Sequence, residues 1–99
     1  MKIKLTALYK NGTTVDYFGG ESEPETVALD MSVISDVVSE SYQNDYDAVI
    51  SLKNGTRKTF IRVNDTSSIT VDGVTESECD GYNPGSILYD DPIKPEVSN

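Results

Sequence analysis

The stretch "ESEPETVALDMSVISDVVSESYQND", residues 21–45, decides whether this 99-residue chain is all-β or mixed. Val27, Met31, Ile34 and Val38 recur at the spacing of one helix face, and Ser22-x-x-Glu25 has the form of a capping box. Together they predict one helix in the 23–42 region. Val27, Leu29 and Met31 also alternate as a strand would. Thr26, Val27, Val33, Ile34, Val37 and Val38 are β-branched and so weak helix formers. The pattern therefore predicts helix over 32–42 and leaves residues 26–30 open between strand and helix.

On either side the same tetrapeptide returns, in "YKNGTTVDYF" (9–18) and "LKNGTRKTFI" (52–61). Asn-Gly between alternating apolar runs is the strongest short-range hairpin signal, because a type I′ turn needs positive φ at both central residues. A two-residue loop at Asn11-Gly12 sets Leu8 opposite Val15, Thr6 opposite Tyr17 and Leu5 opposite Phe18. One at Asn54-Gly55 sets Ala48 opposite Ile61 and Ile50 opposite Thr59 on a core-facing side, and makes Asp47 and Arg62 cross-strand neighbours on the other. Asp72-Gly73 in "SITVDGVTES" signals a third, shorter hairpin by the same rule. The recurrence of K-N-G-T is read as a shared turn solution rather than a duplication.

The expected fold is therefore α+β: a small twisted antiparallel sheet of two or three hairpins with one helix. Residues 1–75 form a single domain. Residues 76–99, with three prolines and scattered acids, read as an irregular acidic tail in which only Ile87, Leu88 and Tyr89 make an apolar cluster.

The formal net charge is −9, and it is unevenly spread. Residues 1–20 hold three Lys and one acid, and residues 21–48 hold eight acids and no base. Residues 49–66 hold four bases and one acid, and residues 67–99 hold seven acids and one Lys. Such acidity opposes direct nucleic-acid binding, because a phosphate backbone would be repelled. The small cluster of Lys53, Arg57, Lys58 and Arg62 reads as a charged strand edge.

Most enzyme chemistries lack their residues here. There is no histidine, hence no common general base and no Ser-His or Cys-His pair. Cys79, the only cysteine, lies between Glu78 and Asp80, which disfavour its thiolate. The pairs Asp45/Asp47 and Asp90/Asp91 lack the spacing of an EF-hand loop. Neither a cofactor nor a dedicated metal site is expected. A single cysteine, an N-terminus interrupted by lysines and the lack of any long apolar run point to a cytoplasmic chain with no membrane partner.

Short, very acidic, cysteine-poor chains of mixed helix and sheet resemble in type the inhibitors that mimic DNA, many of them made by bacteriophages against restriction or CRISPR nucleases. By that likeness the chain is expected to be a non-enzymatic binding protein facing a basic protein surface, of the anti-CRISPR or anti-restriction type. The expected contact residues are Glu23, Glu25, Asp36, Glu40, Asp45 and Asp47, with Tyr42 and Tyr46 as aromatic anchors. Two readings compete with it. In one the charge only maintains solubility; in the other the chain is a virion structural or assembly protein that self-associates through hairpin edges and tail.

Overall fold

A computed structural model describes residues 1–44, 47–54, 56–75, 87–88, 93 and 97–98. In chain order they form β1 (Lys2–Tyr9), β2 (Thr14–Phe18), α1 (Pro24–Asn44), β3 (Val49–Asn54), β4 (Arg57–Arg62), a 3-10 turn (Val63–Asp65), β5 (Thr66–Val74), β6 (Ile87–Leu88) and β7 (Val97–Ser98). The fold is α+β, with one helix and two small sheets. In the first, antiparallel β5, β1 and β2 are extended by β6, parallel to β2; in the second, the β3–β4 hairpin is extended by β7.

Both hairpins form, each in a register other than the one expected. In the first, Leu5 faces Tyr17, Thr6 faces Asp16 and Ala7 faces Val15, a shift of one residue. The turn is the cause. Gly12 N–H donates to the Tyr9 carbonyl (2.9 Å) and Tyr9 N–H to the Thr13 carbonyl (2.8 Å), so the loop has three residues and Gly12 takes φ +91°. This is a tight turn followed by a left-handed residue, the bulged alternative to a two-residue loop. The Asn11 side chain accepts from Thr13 N–H at 2.9 Å. The shift puts Leu5 and Tyr17 together on the core face, while Lys4 and Phe18 meet on the other, with Lys4 Nζ 5.9 Å from the ring centroid.

In the second hairpin Ile50 faces Ile61 and Asn54 faces Arg57, so residues 55 and 56 lie between the strands. A slip of two residues preserves the faces. Ala48, Ile50, Leu52, Ile61 and Val63 are all buried, as the alternation predicts.

Asp72-Gly73 is not a turn. β5 runs straight through it, with Lys4 opposite Asp72 and Ile3 opposite Gly73. Gly73 lies in the strand under α1 instead: a Cβ there would lie 3.3 Å from Met1 Sδ, 3.4 Å from Val27 Cγ1 and 3.6 Å from Met31 Sδ, little closer than ordinary contact.

The helix extends through the open residues 26–30. Glu23 supplies the first helical acceptor to Val27 N–H (3.0 Å), and Pro24 occupies the first helical position, where its missing N–H costs nothing. The capping box is not used as expected, since Ser22 N–H donates to the Met1 carbonyl (2.9 Å). Val27, Ile34 and Val38 are buried against the inner face of β1 and β5, with Met31 partly buried. The inner residues of the second hairpin and Ile93 close the same core. Phe18 and Val74 form a small second cluster on the far side of the first sheet. Most of the tail lies outside the described residues.

Candidate functional site: the outward face of α1

A helix turning about 100° per residue sets Glu25, Leu29, Val33, Asp36 and Glu40 within an arc of about 80°, opposite the buried stripe. All five are exposed, Leu29 at 64%. From Glu25 to Glu40 the stripe is about 22 Å long at 1.5 Å per residue. No lysine or arginine occurs anywhere in α1, so these carboxylates have no helical neighbour of opposite charge.

The structure thus brings together three of the eight residues expected from sequence, namely Glu25, Asp36 and Glu40. Glu23 is exposed at the start of the helix, off this stripe. Asp45 and Tyr46 lie outside the described residues.

Asp47 has a partner. It accepts from Arg62 Nε at 3.3 Å and from Arg62 Nη2 in a second bond of the same fork. The Arg62 hydrogen bond, opposed by desolvation and aided by the Arg62 charge, holds the Asp47 carboxyl below its usual range. The neighbour relation expected from sequence is real, although it spans the ladder diagonally, because Arg62 is directly opposite Val49.

Tyr42 sits on a different flank from the acids. Thr66 Oγ1 donates its one proton to the Val63 carbonyl (2.6 Å), which leaves the Tyr42 hydroxyl to donate to Thr66 Oγ1 (2.6 Å). Together with the contact between Ser41 and Asn64 (3.3 Å), this ties the end of α1 to the 3-10 turn. The half-exposed ring lines a groove of about 310 Å³ with Ile34, Ser35, Val38, Ser39, Ile69 and Val71.

Sequence reading missed Leu29 and Val33 as surface residues. The signal was present: on a helical wheel drawn through Val27, Ile34 and Val38, both fall on the wrong side for a core role. The second sheet carries the opposite charge, with Lys58, Phe60 and Arg62 exposed on the outer face of β4.

Among the described residues, no three His, Cys, Asp or Glu side chains are grouped to hold a metal ion, and no helix is long and apolar enough to cross a membrane. In comparisons with protein-family models, curated proteins and solved structures, nothing matches this chain. Its site is read from its own residues.

Proposed function

We propose that the chain is a non-enzymatic cytoplasmic binding protein that presents the outward face of α1 to a basic groove of another protein, in the manner of a phage-encoded inhibitor of a host nucleic-acid enzyme. The observation that carries this is a single exposed helix stripe in which Glu25, Asp36 and Glu40 surround Leu29 and Val33 with no base on the helix.

Magnitudes refine the idea of DNA mimicry. One strand of duplex DNA carries a charge every ~3.4 Å of axis, whereas the stripe spreads three over about 22 Å. A charge-for-charge copy of DNA is therefore beyond the helix alone. The acids steer the encounter and fix its sign, and Leu29 and Val33 supply the desolvated centre that holds the complex.

The two roles separate experimentally. The full chain is used as bait in bacterial lysate at low and moderate salt, with and without added duplex DNA. The expected result is capture of a nucleic-acid enzyme that DNA displaces; capture indifferent to DNA would overturn the inhibitor reading. With that partner in hand, replacing the three acids by amides slows association and flattens the salt dependence, whereas Leu29→Ala speeds dissociation.

A further inference from the structure

The two sheets end differently. The edge strand β4 carries exposed Lys58 and Arg62, and charge on an edge discourages pairing with another chain. At the end of the larger sheet, β5 has no charge from Thr66 to Val71 and no proline in its nine residues. Its one irregularity is at the start, where Leu8 pairs Ser68 and Tyr9 pairs Thr66, so Ser67 bulges out and the ladder from Ser68 to Val74 is regular. Ser68, Thr70 and Asp72 are exposed, while Ile69 and Val71 are only partly buried. A regular edge whose one charge is Asp72 is a template for a further strand.

From this edge we infer that the chain forms a two-fold dimer by antiparallel pairing of β5 with β5 of a second copy. A second copy is the occupant the sequence of the strand fits. With the axis at Thr70, Ile69 of each copy faces Val71 of the other on the inner side, and Ser68 faces Asp72 on the outer side. The apolar row of the core thus continues across the junction, and no like charges meet.

The groove of about 310 Å³ lies above this edge, lined on the sheet side by Ile69 and Val71 alone, so it opens where the incoming Ile69 and Val71 would enter. The helix permits the approach. Ala28, Ser32, Ser35 and Ser39 are exposed and, at about 100° per residue, form one stripe of small side chains toward this edge, which no described strand covers. Two such helices can lie antiparallel at the short end of the usual packing distance, about 8 Å. Because each copy carries a formal net charge of −9, salt tightens the dimer, the opposite of its effect on an acidic face bound to a basic partner.

Sedimentation equilibrium of the full chain tests this directly. The expected result is a concentration-dependent dimer that strengthens with salt. Ser68→Lys, facing Asp72 at two symmetric places, tightens it roughly five-fold, and Ser68→Asp loosens it by a similar factor. The same two changes at exposed Thr56, in the turn of the other hairpin, correct for net charge and leave the dimer within a factor of about two. A chain that stays monomeric to millimolar concentration overturns the inference. So does a dimer on which the Ser68 variants act no differently from those at Thr56. Neither outcome bears on the outward face of α1, which this dimer leaves open.

Discussion

At the scale of single residues, glycine carries three different meanings in this chain, and only one of them is a hairpin signal. Gly12 takes φ +91° with nothing near its missing side chain, so Gly12→Ala is expected to cost about 1–2 kcal/mol through backbone strain alone. Gly19 is a matter of space: a Cβ there would lie 2.6 Å from the backbone nitrogen of Ile93 and 2.8 Å from its Cγ1. Gly19→Ala is therefore expected to lower stability by about 1–3 kcal/mol in urea unfolding, as overpacked sites do. Gly73 is a strand residue packed under Met1, Val27 and Met31. Asp-Gly and Asn-Gly look alike in a sequence, and what separates Gly73 from Gly12 is the pairing of β5 with β1, in which Gly73 faces Ile3 from the far end of the domain's chain. No local pattern carries that information.

The Asp47–Arg62 pair gives a second prediction at this scale. The folded carboxyl ionises below its usual value, so the stability it adds is present above the unfolded carboxylate pKa of about 3.9 and is lost as pH falls through the lower folded value. Comparing wild type with Asp47→Asn in urea across pH should show a constant difference at neutral pH that closes on the acid side. A difference that persists or grows in acid would assign the effect to something other than this ion pair.

At the scale of elements, the helix face was legible and the registers were not. Val27, Met31, Ile34 and Val38 marked the buried side because 3.6-residue periodicity survives any register. The strand-like alternation of 27, 29 and 31 lost to it because Pro24 starts the helix and Val27 has a strand to pack on, whereas Leu29 has nothing. Two substitutions separate the faces: Ile34→Ala should lose about 2–5 kcal/mol and Leu29→Ala less than about 0.5 kcal/mol in thermal or urea unfolding. Turn chemistry, by contrast, admits both two- and three-residue loops around Asn-Gly. The first hairpin therefore slipped by one and exchanged partners, while the second, which pairs Asn54 with Arg57 and so still has two residues between its strands, slipped by two and kept its faces.

At the scale of the whole molecule, the uneven charge along the chain becomes an uneven charge in space. The helix has an acidic outward face, and the outer face of β4 carries Lys58 and Arg62 around exposed Phe60. The sequence showed that the acids cluster between the hairpins but not which of them share a surface. Only Glu25, Asp36 and Glu40 fall on one stripe; Tyr42 is turned toward Thr66, and Asp47 is engaged by Arg62. Linear proximity grouped all of them, and helical phase and strand pairing then divided them. A function residing in the stripe makes affinity for a basic partner fall with salt and with the loss of those three charges, while neutralising Asp72 on β5 leaves it unchanged.

The most direct measurement is a side-by-side capture from bacterial lysate with wild type, the triple variant Glu25→Gln, Asp36→Asn, Glu40→Gln, and Asp72→Asn, with bound proteins quantified by mass spectrometry. The account predicts a DNA-displaceable partner held by wild type and by Asp72→Asn and lost from the triple variant. Equal retention by all three would contradict a functional role for the acidic face of α1.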